Sequence, residues 1–451
     1  MFVWQDKFVN LESTIFKVKI NQTMIKNIIL TNTNRDLNEN KVEYFHETHV
    51  RFQPYFNENL FVQYDFDLAD IPDSILNIPF VANLYPICWF LGATLKVKTL
   101  DKNFYLSIER IKTEFAKFYP EIITKNSQLL VENLEDVIYD AKQSAMLFSG
   151  GVDALYTYSR LDSDKIQLVT IHGADIEIDN TSQWQKIQEV NRMLPLTIDN
   201  PKLFLRSNVR DFYTFKVEKL IYNNTQDWWT LLQHGLSLTS LLAPIAYTNG
   251  IEKVYIGSTL DSTKETMPWG SSYIDNFIAW GNTNVIHHGQ EANRFHKMRL
   301  LCDYFEEKKI PTPFRVCYHH LNTKLNCSQC TKCYRAIITL IVLGKDPREF
   351  GFEIPVKDNS VAIFYDKLIE VIEKQVFNQA VYFYWLEIYT EMVKKETKPF
   401  VFYNRTLETA KLETIKDLLT HLQTKPKSWK VVRRGIKSAI RTSWFRVLNQ
   451  F

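Results

Sequence analysis

Short apolar runs alternate with amphipathic stretches between about residues 141 and 345, and this alternation predicts strands and helices in turn. Four runs have the length of strands: 145–148, 166–171, 203–205 and 253–257. Four stretches have helical spacing: 154–161, 182–193, 212–222 and 231–247. Such alternation is typical of βαβ units on a parallel sheet, where ligands bind beyond the carboxyl ends of the strands. We therefore expect an α/β domain in the middle of the chain.

The flanking regions have different patterns. Residues 1–140 contain short β-type runs at 17–20 and 61–66, a polar, turn-like stretch at 32–40 and a helical pattern at 104–118. They predict an N-terminal α+β accessory domain. Residues 346–451 predict a helical C-terminal region, with strong patterns at 361–376 and 381–395. A length of 451 residues suits three domains of about 150 residues each, at 1–140, 141–345 and 346–451.

The most apolar stretch, residues 78–95, favours a buried helix or strand–turn element over a membrane span. It contains Pro79, Asn83, Pro86 and Gly92, and a span needs about 20 apolar residues. The first ten residues lack the basic region and apolar run of a signal peptide. We expect no transmembrane segment and a cytoplasmic location.

Composition changes this picture through the distribution of charge. Apolar residues make up 45% and charged residues 23%, which excludes a disordered or fibrous chain. The net charge is +3, but residues 418–451 carry eight Lys or Arg and no Asp or Glu, so the rest carries −5. This basic, amphipathic tail can dock on the acidic body or a protein partner, bind a polyanion such as nucleic acid, or lie on an anionic membrane.

The segment Ser149-Gly150-Gly151-Val152-Asp153 follows a predicted strand and opens a predicted helix. Two glycines let backbone N–H groups converge on one point, which favours an anion at the helix N-terminus. The Ser149 hydroxyl can donate to a phosphate oxygen, and a Mg²⁺ ion would relieve repulsion between that phosphate and Asp153. The spacing is not that of a Walker loop. A plain glycine turn with an Asp N-cap remains the alternative.

Four of the six cysteines, Cys317, Cys327, Cys330 and Cys333, form a C-x9-C-x2-C-x2-C cluster. Four thiolates suit a tetrahedral Zn²⁺ ion. An iron–sulfur cluster and four reduced cysteines are the alternatives. With every position filled by sulfur, a zinc site would be structural.

Charged side chains and two adjacent histidines lie between the two motifs. Helical spacing from Glu291 onward places Arg294 and Lys297 on neighbouring faces, where they can contact phosphates or a substrate carboxylate. An ordinary ion pair on a helix is the alternative. His287 or His288 can move a proton near neutral pH, and we select His288 as the candidate.

The glycine segment resembles the signature of the PP-loop ATP pyrophosphatases, SGGxD followed by Ser or Thr. The resemblance implies a Rossmann-like (HUP-type) parallel sheet and a loop that holds the pyrophosphate of ATP. At the last position Ala154 replaces the hydroxyl residue, which removes a hydrogen bond worth about 1 kcal/mol. The resemblance implies that these residues bind the nucleotide: Ser149, Gly150, Gly151, Val152, Asp153, Ala154, His172, Gly173, Gly257 and Ser258.

Together with the cysteine cluster, the loop resembles the 7-cyano-7-deazaguanine synthase family, including its Cys-Tyr start at Cys317-Tyr318. That family uses ATP to activate a carboxylate, which ammonia converts to an amide and a nitrile. The resemblance covers residues 141–345 and implies ATP, Mg²⁺ and Zn²⁺. In that family the arginine after the last cysteine lies one residue further from it than Arg335 lies from Cys333 here. A divergent relative, of the kind associated with bacterial defence or surface-polysaccharide gene sets, is implied.

The sequence thus predicts an AMP-forming enzyme that adenylates a carboxylate or amide oxygen for capture by ammonia or an amine. Asp153, Arg294, Lys297 and His288 are the predicted catalytic residues. A nucleotide-binding regulatory or scaffold protein with a degenerate loop and an RNA-modifying enzyme are the alternatives. The sequence does not identify the substrate, and it does not decide whether the chain forms a homodimer.

Overall fold

The structure is a computed structural model that describes residues 27–354, except 124, 162–164, 222–227, 260–271 and 318–323. Beyond residue 354 it describes residues 370, 384, 385, 387, 388, 390, 391, 394, 401, 402, 405 and 406. The predicted strand at 17–20, almost all of the predicted helix at 361–376 and the basic tail lie outside these residues. The described chain forms two compact units: 27–149, 157–192 and 199–291 in the first, and 150–156, 193–198 and the residues from 292 onward in the second.

One eleven-stranded sheet runs through the first unit, in the order β10-β11-β9-β6-β7-β8-β3-β2-β1-β4-β5. Its strands are β1 (Asn27–Asp36), β2 (Lys41–Thr48), β3 (Leu60–Gln63), β4 (Thr94–Asp101), β5 (Gln128–Glu135), β6 (Gln143–Leu147), β7 (Gln167–His172), β8 (Lys202–Ser207), β9 (Ile251–Gly257), β10 (Ala279–Trp280) and β11 (Thr283–His288). Six of the ten pairings are parallel. The prediction of an α/β fold with a large, mostly parallel sheet is confirmed.

The strands from the middle of the chain form a continuous parallel block. Starting from β6, the chain adds β7 and β8 on one side, then returns to add β9 and β11 on the other. The direction of winding therefore reverses between β6 and β9. Parallel strands present their carboxyl ends at one edge of the sheet, and a reversal point at that edge is where such sheets bind ligands.

The strands before residue 140 extend the same sheet. β3 pairs antiparallel with β8, β2 and β1 continue the antiparallel order, and β4 and β5 add parallel strands at the edge. The expected turn-like stretch at 32–40 is wrong in its first half, because β1 continues to Asp36 in register with β2. The polar side chains of this part of β1 are exposed or half-buried, and an antiparallel pair of strands can have one face in contact with solvent. The domain boundaries at 140 and 345 stay a prediction.

Helices pack around this sheet and in the second unit. In the described residues the α-helices are α1 (Asp73–Leu76), α2 (Ile78–Leu91), α3 (Lys102–Ala116), α4 (Pro120–Ile123), α5 (Val152–Arg160), α6 (Thr181–Met193), α7 (Phe215–Glu218), α8 (Leu238–Ser240), α9 (Ala243–Asn249), α10 (Ser272–Asp275), α11 (Arg294–Lys308) and α12 (Thr331–Val342). A π-helix spans Trp229–Ser237. The single helices expected at 212–222 and 231–247 are therefore each broken into shorter elements.

Helix α2 accounts for the apolar stretch at 78–95. Every residue from Ile78 to Phe90 is buried, so the helix has no polar face. It ends at Gly92, whose φ is +65°, and a Cβ there would lie 2.5 Å from the Lys125 carbonyl oxygen. None of the helices in the described part of the chain is long and apolar enough to cross a membrane. The expectation of a buried helix is confirmed.

One hydrophobic core joins the early strands to the parallel block in the first unit. Its buried side chains run from Ile28 in β1 to Val285 in β11 and include Trp89 of α2 and Trp228 before the π-helix. Helix α3, on the same core, begins after Asp101, whose carboxylate accepts a hydrogen bond from the Phe104 N–H at 2.8 Å. This continuous core fixes the positions of the strands whose carboxyl ends carry the candidate residues.

The second unit contains α11, α12 and a two-stranded pair, β12 (Val401–Phe402) with β13 (Arg405–Thr406). Helix α11 begins after Asn293, whose side chain accepts a hydrogen bond from the His296 N–H at 2.9 Å. Glu291 therefore precedes the helix, and the expectation of helical spacing from Glu291 onward is wrong. Arg294 and Lys297, three residues apart in the first turn, lie on one face.

Candidate functional site

In the first unit, three predicted binding residues and one predicted catalytic residue lie at or just after the ends of adjacent strands. Ser149 follows β6, His172 ends β7, and Gly257 ends β9 beside His288 at the end of β11. The Ser258 N–H donates to the His288 carbonyl oxygen at 2.7 Å, which joins the ends of β9 and β11. Ser149 thus follows β6 and Ser258 follows β9, and the winding of the sheet reverses between these two strands.

Gly173 is required by its surroundings. Its φ is +97°, and a Cβ at this position would lie 1.8 Å from the carbonyl oxygen of Ser207 in β8. Any other residue would therefore clash with the backbone of the neighbouring strand. This explains the glycine by packing and leaves its predicted contact with a nucleotide as a prediction.

His172 is buried and stacked on an aromatic ring. Its imidazole lies parallel to the Trp184 indole, with ring centroids 4.7 Å apart, and its Nε2 is 3.2 Å from the Glu177 carbonyl oxygen. Burial lowers the pKa of His172 from its ordinary value, and the charge of Arg206 adds to this. His172 is therefore neutral at pH 7 and contributes a flat aromatic surface rather than a charge. Trp184, which the sequence did not mark, is its partner.

The two adjacent histidines have different partners, because successive side chains of a strand point to opposite faces. His288, the predicted catalytic residue, has its Nδ1 3.3 Å from the Thr157 hydroxyl oxygen. His287 is buried, with its Nδ1 2.9 Å from Asp275 Oδ2. Asp275 and His287 therefore form a buried carboxylate–imidazole pair among the described residues of this unit. Gly235 of the π-helix makes room for it, since a Cβ there would lie 2.1 Å from Asp275 Oδ1.

In the second unit, the glycine turn contains one residue in the left-handed backbone conformation. Gly150 has a φ of +70°, a conformation that L-residues with side chains rarely adopt. Its carbonyl oxygen accepts a hydrogen bond from the N–H of Arg315 at 3.1 Å. Helix α5 begins at Val152, and the first N–H groups of a helix have no acceptor within the helix. Ala154, at the position that departs from the signature, is buried.

The Asp153 carboxylate lies between two cations of helix α11. Arg294 Nη2 is 2.5 Å from Asp153 Oδ2, and Lys297 Nζ is 3.7 Å from Asp153 Oδ1. The Lys297 side chain is fully buried and also lies 5.6 Å from the centre of the Tyr156 ring. Burial would lower the pKa of Arg294, but the charges of Asp153, Tyr384 and Glu387 together outweigh burial and raise the pKa. The structure thus brings together three of the four predicted catalytic residues.

Residues that the sequence did not mark surround this cluster. The Tyr384 ring, from the predicted helix at 381–395, lies 5.6 Å from Arg294 Cζ and 4.6 Å from Arg335 Cζ. Arg315, which follows α11, is buried, and its backbone pairs with the glycine turn at Gly151. No sequence signal could have found Tyr384, because it lies about 230 residues from the loop and belongs to no motif.

The four cysteines meet in the second unit as predicted. Their sulfur atoms all lie within 4.8 Å of one another. Cys333 Sγ is 3.4 Å from Cys317 Sγ, 3.6 Å from Cys330 Sγ and 3.7 Å from Cys327 Sγ. A Zn–S bond of about 2.3 Å implies sulfur–sulfur distances of about 3.8 Å in a tetrahedron, so these residues fit zinc. They could hold a metal ion, and Cys317, Cys327, Cys330 and Cys333 would be its ligands.

The protein around the sulfur atoms supports the same interpretation. Hydrogen bonds with the Cys317 and Cys330 thiols raise the pKa of Cys333, and burial adds to this, so a bound cation would be needed to keep it ionised. The Asn326 side chain accepts from the Val316 N–H at 2.8 Å and donates to the Phe314 carbonyl oxygen at 3.0 Å. These bonds hold the segment before Cys317 against the segment before Cys327. The cluster therefore clamps two parts of the chain.

No protein-family model matches the chain, and no curated protein is significantly similar to it.

Proposed function

We propose that the chain is an ATP-dependent, AMP-forming enzyme that adenylates a carboxylate or amide oxygen, which ammonia or an amine then displaces. The observation that carries this proposal is the glycine turn, Gly150-Gly151, at the start of α5, with Arg294 and Lys297 held beside it by Asp153. Backbone N–H groups at a helix start and two fixed cations are the groups that stabilise a polyphosphate.

The topology of the sheet supports a Rossmann-like, HUP-type PP-loop domain. The parallel strands β6, β7, β8, β9 and β11 lie in the order β8-β7-β6-β9-β11, which is the order of doubly wound nucleotide-binding sheets. The glycine turn follows the central strand of that block. In such sheets the ligand lies at the reversal point, which here separates β6 from β9.

The proposed reaction has two steps. In the first, the substrate oxygen bonds to the α-phosphorus of ATP, the bond from that phosphorus to the bridging oxygen breaks, and pyrophosphate leaves with the electron pair. In the second, the amine nitrogen bonds to the activated carbon, loses a proton, and AMP leaves. Arg294 and Lys297 would offset the charge that develops on pyrophosphate. For a nitrile, the amide oxygen would be adenylated in the same way with release of pyrophosphate, and AMP would then leave without attack by an amine while the amide nitrogen loses its two protons.

The residues present fit a zinc ion but not a dedicated Mg²⁺ ion. The residues present do not fit a dedicated Mg²⁺ site, because the two oxygens of Asp153 face Arg294 and Lys297. No step is therefore routed through Mg²⁺, and Asp153 serves to orient the two cations. The four-cysteine site fits zinc, and four thiolate ligands would fill its coordination, so its role is structural. Reduced thiols and a requirement for ATP support the cytoplasmic location that the sequence predicts.

A nucleotide-binding regulatory or scaffold protein is the second candidate, because of one observation. Ala154 occupies the hydroxyl position of the loop signature and is buried, so its methyl group supplies no hydrogen bond to a phosphate. A loop of this kind would still bind ATP through its backbone and the cations of α11 while it failed to cleave ATP.

Binding and turnover should be measured on the full-length chain, with calorimetric titration of ATP and with pyrophosphate release in the presence of ammonium and a panel of carboxylic acids that includes 7-carboxy-7-deazaguanine. Arg294→Met should weaken ATP binding by about tenfold or more, the effect of losing one charge-assisted hydrogen bond. Arg299→Met is the matched control, since it removes an equal charge from an exposed position of the same helix.

The outcomes separate the two candidates. Pyrophosphate release that depends on an acid supports the enzyme. Tight ATP binding without release for any acid, together with release switched on by Ala154→Ser, supports the regulatory protein. Equal ATP affinity in the Arg294→Met and Arg299→Met variants would contradict both.

A further inference from the structure

The C-terminal region contributes side chains to the cation cluster of the second unit, although the family resemblance ends near residue 345. Trp385 and Ile388 are 1% and 3% exposed, so this part of the region is anchored in the protein interior. Tyr384 and Glu387 flank these anchors. Glu387 is 9% exposed, which is unusual for a carboxylate.

Tyr384 contacts both guanidinium groups of the cluster. Its ring centre lies 5.6 Å from Arg294 Cζ and 4.6 Å from Arg335 Cζ, within the range of cation–π attraction. Arg294 is held from its other end by Asp153. Arg335 Nε donates to the Thr331 carbonyl oxygen at 3.3 Å, which fixes the side chain along α12. One aromatic ring therefore sets the orientation of two cations that repel each other.

Part of each guanidinium remains available to a ligand. Arg294 Nε and Arg335 Nη1 are buried and have no hydrogen-bond partner among the described residues. A buried donor without a partner carries a desolvation cost, which a hydrogen bond from that donor to a ligand would offset. Two such donors on neighbouring cations, next to the glycine turn that Asp153 follows, suit an anionic ligand with several oxygens.

Glu387 supplies the opposing charge. Burial lowers the pKa of Arg294, whereas the charges of Asp153, Tyr384 and Glu387 together raise it above its ordinary value. Burial raises the pKa of the Tyr384 phenol, and the charges of Asp153 and Glu387 add to this. The five groups therefore act on one another, and an anion that entered the cluster would compete with Glu387 for the two arginines.

We propose that Tyr384 is a positioning residue that presents Arg294 and Arg335 to the polyphosphate of the substrate, and that Glu387 balances their charge until the polyphosphate binds. The identity of the ligand rests on the proposed function; the arrangement of the side chains does not. The region outside the family resemblance would thereby tune the nucleotide site.

Titration of the full-length chain with ATP and with inorganic tripolyphosphate tests this proposal through effects of opposite sign. Tyr384→Leu removes the ring and should weaken binding of both by about tenfold. Tyr384→Phe keeps the ring and should bind within about twofold of the unaltered chain. Glu387→Gln removes the competing charge and should tighten binding by several fold. Variants that only damaged the fold would all weaken binding, so weaker binding by Glu387→Gln overturns the proposal.

Tyr304→Leu is the matched control. The Tyr304 ring lies 5.6 Å from Lys308 Nζ on α11, a cation–π contact of the same unit between a half-buried ring and an exposed lysine. Its loss should leave the affinity for tripolyphosphate unchanged. An equal loss of affinity in Tyr304→Leu and Tyr384→Leu would show a general effect on the unit and would refute the positioning role.

A second measurement needs no ligand and separates this proposal from the proposed function. Modification of arginines by phenylglyoxal, mapped by mass spectrometry, should be several fold faster at Arg294 and Arg335 in Tyr384→Leu than in Tyr384→Phe. Arg348, bonded to Asp346, is the internal reference and should not change. If the chain binds neither ATP nor tripolyphosphate, the proposed function fails while this result still stands. Unchanged modification of Arg294 and Arg335 overturns the positioning role even if ATP binds.

Discussion

Replacing Asp153 by asparagine should leave two cations of α11 without their common carboxylate. The Lys297 side chain is fully buried, and the Arg294 side chain is 31% exposed. A buried charge that loses a charged partner is costly, because it is kept from water while its electrostatic stabilisation is reduced. Asp153→Asn should therefore lower the free energy of local opening of α11. The decrease should be smaller in a chain that also lacks the Lys297 charge.

The structure gives the size of this dependence. Lys297 Nζ and Asp153 Oδ1 are 3.7 Å apart, and two unit charges at this distance interact by about 4 kcal/mol at an effective dielectric constant of about 20. The Asp153 side chain is 19% exposed, and solvent reduces the interaction. We expect a coupling free energy of about 2 kcal/mol between the two residues, within the usual range for contacting charges.

A double-mutant cycle measures this coupling. Asp153→Asn, Lys297→Met and the double variant should be compared with the unaltered chain by native-state hydrogen exchange of α11 peptides, because local opening free energies do not require the two units to unfold together. The double variant should be about 2 kcal/mol more stable than the sum of the single effects predicts. Lys308→Met, at an exposed position of the same helix, should show no coupling to Asp153→Asn.

Two results would refute the reasoning. Additivity of Asp153→Asn and Lys297→Met within about 0.5 kcal/mol would show that the pair does not interact. Coupling of the same size between Asp153 and Lys308 would show that the effect is one of net charge and not of the close contact.

Three further predictions concern the metal, the turn and a histidine. Elemental analysis should give about one zinc per chain, and Cys327→Ser should lower the melting temperature; a metal-free chain of equal stability would argue against the site. Gly150→Ala and Gly344→Ala, at φ +70° and +76°, should each lower the free energy of unfolding by about 1 kcal/mol. Only Gly150→Ala should also weaken ATP binding. Equal affinity of the two variants for ATP would exclude the glycine turn as the phosphate site. Burial lowers the pKa of His172 below 6.5, so the unfolded chain binds the proton first, and stability should fall as the pH drops below about 6.5. In the His172→Asn variant, the midpoint of urea unfolding should change less with pH between pH 7.5 and 5.5 than in the unaltered chain. An unchanged pH dependence of the midpoint would show that His172 does not have the lowered pKa.

The sequence determined those features that depend on short spacings. The alternation of strands and helices, the glycine turn at Gly150-Gly151 and the four-cysteine cluster were all predicted, because periodicity and ligand spacing are set within a few residues. The buried helix α2 was predicted for the same reason, since its apolar residues are consecutive. Arg294 and Lys297 were selected because they lie one turn apart on a helix.

Only the tertiary structure decided which distant residues meet. The pairing of β3 with β8 joins strands about 140 residues apart into one sheet, and no local pattern encodes that register. In the same way, Asp153 finds Arg294, Asp275 finds His287, and Tyr384 finds two arginines, because packing brings their elements together and buried charges must then be paired. The sequence supplied the groups that carry the chemistry; the long-range packing of the chain chose their partners, and therefore their charge and orientation.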